Sequence, residues 1–114
     1  MRPDTTVKEN YLFRRIYRKG ASAVEPCMVV YCQKNRRGMT RLGVTVSTKL
    51  GKAVVRNRVR RQMRELWRTH KDEMCPGYDL IVVVRVRATR TPYRVLESQY
   101  LNALKKLSLL ETTI

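Results

Sequence analysis

Residues 78–88 read YDLIVVVRVRA and carry the strongest strand pattern of the chain. The run from Leu80 to Val84 is rich in β-branched residues, which favour extended backbone. It shows almost no apolar–polar alternation, and such a run is typical of a strand buried on both faces. The segment therefore predicts a strand in a central or parallel position of a sheet.

Two further strand patterns precede this one. Residues 27–34, CMVVYCQK, are rich in strand-forming residues, and residues 39–47, MTRLGVTVS, alternate so that every second residue is apolar. Residues 35–38, NRRG, lie between them and have the composition of a turn. We expect the two segments to form an antiparallel hairpin, and a further short strand fits near residues 21–25.

Three helices complete the pattern. The first begins near Asn10 and ends at Gly20; the second runs from Ala53 to about His70; the third begins with Thr91 as N-cap and Pro92 as its first residue. The order α-β-β-α-β-α predicts an α+β fold, a small two-layer sandwich in which helices pack on a central sheet of about four strands. At 114 residues the chain is expected to form a single domain, 1–114, with a flexible polar tail at 1–9 and a short C-terminal tail at 109–114.

The second helix contains an unusual concentration of charge. Residues 49–68 read KLGKAVVRNRVRRQMRELWR and contain one acid, Glu65, among eight Lys or Arg residues. Val55, Val59, Met63 and Leu66 form its apolar stripe. A helix face built only for solvation mixes signs to gain i,i+4 pairs, and this face does not. The whole chain has 25 basic and 9 acidic residues, a formal net charge of +16, which favours a polyanionic partner.

The spacing of the basic residues favours a nucleic acid as that partner. Arg56, Arg60 and Arg64 recur every four residues and form one ridge. Gly51 and Lys52 lie just before the helix, where free backbone N–H groups favour a phosphate. The chain has no helix-turn-helix or zinc-finger pattern, which weakens the case for sequence-specific DNA recognition.

Aromatic residues offer a second kind of contact. Phe13 and Tyr17 are spaced i,i+4 on the first helix, and Tyr31 lies in the first long strand. Exposed rings in such places bind single-stranded RNA by stacking on its bases. Ordinary packing in the core explains the same pattern equally well, so the sequence leaves both interpretations open.

Residues 49–65 closely resemble the signature of the bacterial ribonuclease P protein subunit. Arg56-Asn57-Arg58 matches the RNR motif of that family. Further matches are a Phe-x-x-x-Tyr helix ending in Arg18-Lys19-Gly20, the strand RLGVTVS at 41–47, and Gly77-Tyr78-Asp79 before a hydrophobic strand. The resemblance covers most of residues 10–105. It implies a left-handed β-α-β crossover through the basic helix, although the general rule for such units is right-handed.

The resemblance also implies a function. The chain would be the protein subunit of a ribonucleoprotein endonuclease that removes the 5′ leader from precursor tRNA. The partners would be a catalytic RNA subunit, with one protein monomer per RNA, and precursor tRNA. The RNA subunit would carry out hydrolysis and bind most of the magnesium, and the protein would supply no catalytic residue. The residues implied to bind the RNA subunit are Lys49, Lys52, Arg56, Asn57, Arg58, Arg60, Arg61, Arg64 and Arg68. Those implied to bind the leader are Phe13, Tyr17, Val29 and Tyr31.

No metal or catalytic site in the protein itself is expected. Cys27 and Cys32 fall in one predicted strand with their side chains on opposite faces, so they would not share a zinc ion with Cys75 and His70. A single histidine excludes a two-histidine mechanism of RNA cleavage. The three cysteines are an odd number and do not have the spacing of a disulfide framework, and the sequence shows no signal or membrane-spanning pattern. These features favour the cytoplasm and no membrane partner. The alternative function is a structural RNA-binding protein of the ribosomal type.

Overall fold

A computed structural model describes residues 10–36 and 38–110, with side chains from residue 14 onward. The predicted tail at 1–9, Arg37, the side chain of Phe13 and residues 111–114 lie outside this description. The helices are α1 (Asn10–Lys19), α2 (Ala53–His70) and α3 (Tyr93–Lys106), and the strands are β1 (Ala21–Val24), β2 (Met28–Lys34), β3 (Arg41–Val46) and β4 (Tyr78–Val84). Three short 3-10 turns, Thr48–Leu50, Lys71–Glu73 and Val86–Arg90, flank α2 and follow β4.

The four strands form one sheet in the order β1-β2-β4-β3. Val82 at the centre of β4 pairs with Val30 of antiparallel β2 on one side and with Val44 of parallel β3 on the other. The apolar run of β4 is almost completely buried. The central position predicted for this strand is therefore confirmed, and so is the α+β class with four strands and three helices.

The predicted hairpin of β2 and β3 is wrong, because β4 lies between these strands. The hairpin of the fold is instead β1 with β2. The loop after β2 crosses the beginning of β4, where Asn35 N–H donates to Gly77 O at 2.7 Å and Asn35 Nδ2 donates to Asp79 Oδ1 at 2.8 Å. A turn composition at residues 35–38 marks a change of chain direction, but it does not specify which strand becomes the neighbour.

The two faces of the sheet are covered differently. On one face Val30 and Val82 join α2 and α3 in a single core that includes Val59, Leu66 and Tyr100, all fully buried. On the opposite face α1 contacts β2 and β4 and buries Ile16. The sheet-and-helix sandwich therefore consists of β1–β4 with α2 and α3, and α1 is a separate cover over part of the other face.

Gly20 allows α1 to approach the sheet closely. Its N–H donates to Ile16 O at 2.8 Å and ends the helix, as the sequence predicts. A Cβ at this position would lie 2.6 Å from Ile16 O and closer still to Cys32 O of β2. Only glycine therefore fits without moving α1 away from β2.

Three predicted boundaries shift. Strand β4 ends at Val84, and the following basic residues form the 3-10 turn Val86–Arg90. Pro92 occupies the cap position of α3, so Thr91 lies outside the helix. Thr91 Oγ1 donates instead to Arg87 O at 2.7 Å. The C-terminal tail does not begin at residue 109, since Leu109 is fully buried and its carbonyl accepts a hydrogen bond from Cys75 N–H.

The left-handed sense of the β3-α2-β4 crossover remains an expectation from the resemblance. Within the described residues, none of the helices is both long enough and apolar enough to cross a membrane.

Candidate nucleic-acid interface

The segment before α2 is a tight turn held by its own backbone. Ser47 Oγ accepts a hydrogen bond from Lys49 N–H at 3.1 Å, and Gly51 N–H donates to Thr48 O at 3.2 Å. Gly51 adopts a φ of 127°, which favours glycine. The expected free N–H at Gly51 is therefore wrong, because that group already has an acceptor. Lys49 and Lys52 remain exposed on either side of the turn.

Helix α2 separates apolar and basic residues onto two sides. Val59, Met63 and Leu66 of the predicted stripe are buried in the core, and Val55 at its beginning is half-buried. Burial of this stripe directs the basic residues away from the core. Of the nine predicted RNA-binding residues, Arg56 and Arg60 are half-buried and the others are exposed: Lys49, Lys52, Asn57, Arg58, Arg61, Arg64 and Arg68.

Few of these side chains are neutralised. Within the described part of the chain, Arg68 alone among the nine pairs with a carboxylate, that of Glu65. Arg60 Nη1 donates to Asn57 Oδ1 at 3.1 Å, and Arg58 Nη2 donates to Thr89 O at 3.0 Å. Neither acceptor carries a charge, so the positive charge of the surface is retained.

Arg56 has an additional unfilled donor. Its Nε is enclosed by the protein and has no hydrogen-bond acceptor among the described residues. A buried donor without an acceptor is unfavourable by about 1–3 kcal/mol.

Most of the described acidic residues pair with cations or with His70 of the same chain. Of the described carboxylates only Asp72 has no ion-pair or histidine partner. Glu25 is 5% exposed and accepts hydrogen bonds from Lys106 Nζ at 2.6 Å and Asn102 Nδ2 at 3.1 Å. Burial raises the pKa of Glu25, but the bonds from Lys106 and Asn102 outweigh it and hold the pKa below its usual value. Glu25 therefore stays ionised and internally paired, and the surplus of cations lies at the surface.

The leader-binding residues implied by the resemblance fall between α1 and the sheet face that α1 partly covers, a region called the cleft. The rings of Tyr17 and Tyr31 meet edge to face with centroids 4.8 Å apart and an interplanar angle of 76°. Tyr17 Oη and Thr45 Oγ1 are 3.4 Å apart, so the side chain of Tyr17 reaches across the sheet to β3. Val29 is half-buried on the same face of β2 as Tyr31, since the two residues are two positions apart in a strand.

The exposure of these rings answers one question that the sequence left open. Tyr17 is 40% exposed and Tyr31 is half-buried, so neither ring is part of the closed core. Phe13 lies on α1, but its side chain is outside the described residues. The described rings are accessible for contact with a base, and simple core packing does not account for them.

Helix α2 begins at the end of the sheet toward which the cleft extends. Because β3 and β4 are parallel, their carboxyl ends lie together, and the chain enters α2 soon after the end of β3. The 3-10 turn Val86–Arg90 follows the end of β4, and the hydrogen bond from Arg58 to Thr89 joins it to α2. Thr45, which Tyr17 reaches, is one residue from the end of β3, so the cleft extends toward the same end of the sheet.

Comparison with known proteins identifies the family of this chain. A family model described as Ribonuclease P matches residues 1–108. The chain belongs to the ribonuclease P protein family. The resemblance seen in the RNR motif is therefore confirmed.

Individual members of the ribonuclease P family are similar along nearly the whole chain. The ribonuclease P protein component of Clostridium botulinum is 42% identical over 104 residues, covering 90% of this chain and 94% of that protein. The component from Natranaerobius thermophilus is 37% identical over 109 residues, covering 96% and 95%.

Solved ribonuclease P proteins share the fold. The Staphylococcus aureus RNase P protein has a TM-score of 0.87 and 34% sequence identity, covering 96% of this chain and all of that chain. The Thermotoga maritima RNase P protein has a TM-score of 0.80 and 30% identity, covering 92% and 97%. The α+β fold with a four-stranded sheet is thus common to this chain and to both ribonuclease P proteins.

Two parts of this ribonuclease P surface were not anticipated from the sequence. Thr45 contacts Tyr17, and its position beside the cleft follows only from the pairing of β3 with β4. The 3-10 turn with Arg85, Arg87 and Arg90 around it adds cations next to α2. The basic residues were the available signal, but Arg85 and Arg87 were assigned to the end of a strand and Arg90 to no element.

The described residues offer no metal-binding cluster in the protein. Nowhere in them do three His, Cys, Asp or Glu side chains converge to hold an ion. Cys27 and Cys32 are buried, and Cys27 Sγ lies 3.2 Å from Thr91 Oγ1. Asp72 and Glu73 lie on an exposed 3-10 turn, where Glu73 contacts His70.

Proposed function

We propose that this chain is the protein subunit of ribonuclease P and that it binds two RNAs through adjoining surfaces. The basic side of α2 binds the catalytic RNA subunit through Lys49, Lys52, Arg56, Asn57, Arg58, Arg60, Arg61, Arg64 and Arg68. The cleft between α1 and the sheet binds the single-stranded 5′ leader of precursor tRNA through Phe13, Tyr17, Val29 and Tyr31. Together they assist removal of the leader in the cytoplasm, with one protein monomer per RNA.

One observation carries the proposal: cations without carboxylate partners lie where α2 begins, and accessible aromatic rings lie in a cleft that extends toward the same end of the sheet. Arginine guanidinium groups bind phosphate oxygens in a bidentate manner, and they do so most strongly when no carboxylate competes. Rings such as Tyr17 and Tyr31 bind unpaired bases by stacking, which requires a single strand. A duplex-like RNA surface beside a single-stranded segment is the partner that fits both.

Bond cleavage is assigned to the RNA. The protein residues described above offer positive charge, hydrogen-bond donors and stacking surfaces, and these groups lower the repulsion between two RNAs. Magnesium is expected mainly in the RNA subunit, as the family resemblance implies. The protein contributes to catalysis by binding and positioning substrate.

A reconstitution assay tests the proposal. Purified protein is added to its cognate RNA subunit at low magnesium, and cleavage of precursor tRNA is followed under single-turnover conditions. We expect a faster reaction with the protein than without it, and a larger gain in affinity for precursor with a leader than for mature tRNA. A structural RNA-binding protein of the ribosomal type would give no stimulation, and that result would overturn the proposal.

A further inference from the structure

The end of the sheet opposite to the beginning of α2 contains a second group of cations. A cavity of about 580 Å³ opens there, lined by residues of α1, the end of β2 and the beginnings of β3 and β4. Arg15, Lys34 and Arg36 are the exposed cations of its lining, and Arg41 and Asp79 are buried there. None of the residues assigned to RNA binding in the proposed function belongs to this cavity.

The buried pair contributes almost no net charge. Arg41 Nε donates to Asp79 Oδ1 at 2.8 Å, and Arg41 Nη2 donates to Asp79 Oδ2 at 2.7 Å. This two-point contact satisfies the only carboxylate of the lining.

The exposed cations are not compensated in the same way. No carboxylate of the described chain forms an ion pair with Arg15, Lys34 or Arg36. They come from two elements, α1 and the end of β2 with its following loop, and they face a shared cavity. Three converging positive charges around an open cavity favour an anionic ligand.

The position of the cavity relative to the cleft identifies the anion. Lys34 pairs with Tyr78 at the beginning of β4, whereas Met28 pairs with Val84 at the end of the sheet where α2 begins. Six residue steps of β2 separate these ends, a distance of about 20 Å in a strand. Tyr31 lies midway, and the cavity lined by Arg15, Lys34 and Arg36 lies beyond it, at the end of the sheet away from the beginning of α2.

We propose that Arg15, Lys34 and Arg36 form a phosphate-binding site for the distal part of the leader, the nucleotides farthest from the tRNA. This inference rests on the proposed function, because it assumes that the leader runs through the cleft. Phosphate is the recognised group, so the site acts on leaders of any sequence. It acts only on leaders long enough to extend past Tyr31.

Leader length provides the test. The variant Lys34→Ala/Arg36→Ala and the matched control Arg94→Ala/Lys105→Ala each remove two exposed cations that have no ion-pair partner among the described residues. The control residues lie on α3, across the sheet from the cleft. Each reconstituted holoenzyme is titrated with precursor tRNAs whose leaders are extended one nucleotide at a time, and with mature tRNA.

We expect the test variant to equal wild type on mature tRNA and on short leaders, and to bind long leaders more weakly. The salt dependence of long-leader binding should decrease by about 0.7 for each phosphate that the variant no longer binds, while the control variant keeps the wild-type slope. Equal affinities of test and control variants at every length would overturn the inference. A weakening of the same size with mature tRNA would also overturn it, because that effect would reflect general charge or the RNA subunit.

Failure of the proposed function would look different. Wild-type holoenzyme would then bind precursor and mature tRNA equally, whatever the leader length. In that case the cleft does not bind the leader, and the inference of a distal phosphate-binding site is overturned as well.

Discussion

His70, the last residue of α2, contacts Glu97 of α3 through Nε2 and Oε2 at a distance of 2.8 Å. Its other ring nitrogen, Nδ1, contacts Glu73 in the 3-10 turn that follows α2. Burial lowers the pKa of His70, but the hydrogen bonds to Glu97 and Glu73 outweigh it and hold the pKa above its usual value of 6.5. When it is protonated, the ring joins the carboxyl end of α2 to α3 through these two contacts.

This contact predicts a pH-dependent stability. A folded-state pKa above the unfolded value stabilises the protein fully below about 6.5, and the stabilisation is lost as pH rises through the higher folded value. His70→Gln retains a hydrogen-bonding side chain without the charge. We expect the free energy of unfolding of wild type to exceed that of the variant by more at about pH 6 than at about pH 9. Urea denaturation at both values measures this, and a difference independent of pH would contradict the role of the charge.

Arg56 and Arg60 are predicted to bind phosphates of the RNA subunit. Arg56→Ala/Arg60→Ala should weaken assembly with that RNA and reduce the salt slope of the affinity by about 0.7–0.9 for each phosphate that is no longer bound. Filter binding across a range of salt concentrations measures the slope. Arg68→Ala is the comparison, because Glu65 already neutralises Arg68 and its removal should matter less. If the salt slope is unchanged in Arg56→Ala/Arg60→Ala, these two residues do not bind phosphates of the RNA subunit.

Tyr17 is predicted to stack on a base of the leader. Tyr17→Ala should reduce affinity for precursor tRNA by about 1–3 kcal/mol and leave affinity for mature tRNA unchanged. Tyr17→Phe retains the ring and removes only the hydroxyl that approaches Thr45, so it should bind nearly as well as wild type. The same experiment applies to Phe13, whose role comes from the resemblance alone. Equal reductions with precursor and mature tRNA would point to damage of the fold.

Arg41 and Asp79 are predicted to support each other where the loop after β2 crosses the beginning of β4. Their side chains are 9% and 7% exposed, so removing one partner takes away a two-point contact that compensates the buried charge of the other. Arg41→Met or Asp79→Leu alone should lower the free energy of unfolding by about 3–5 kcal/mol. The double substitution should lower it by less than the sum of the two. Additive effects in a double-mutant cycle would show that the pair does not act as a unit.

The sequence predicted the helices and strands of this fold better than it predicted which strands pair with each other. Helix α2 was predicted accurately because its apolar residues recur with helical period along its length, and that signal is local. The pairing of β2 with β4 joins residues far apart in the chain, such as Val30 and Val82, and no local pattern encodes it. The prediction instead paired β2 with β3, the next strand along the chain, because consecutive strands are usually neighbours. In this fold β4 lies between them.

For the candidate site, too, the sequence revealed the local patterns but not the contacts between distant residues. The basic residues of α2 follow from charge and period, whereas their assignment to an RNA subunit came from the resemblance. Thr45 was not anticipated as part of the cleft because its proximity to Tyr17 requires knowing that β3 lies at the edge beyond β4. The cations at Lys34 and Arg36 were assigned only to a strand end and a turn, since their convergence with Arg15 depends on where α1 packs.

The position of β4 between β2 and β3 also has a consequence for synthesis on the ribosome. Both neighbours of β4, the strands β2 and β3, and all of α2 emerge before residue 78, so the nascent chain carries two strand edges that lack their partner β4 and a cationic helix without its complete sheet. Open edges of this kind favour mispairing until the missing strand arrives. Messenger or ribosomal RNA is the polyanion nearest to that helix at this stage, and early contact with it would compete with the insertion of β4.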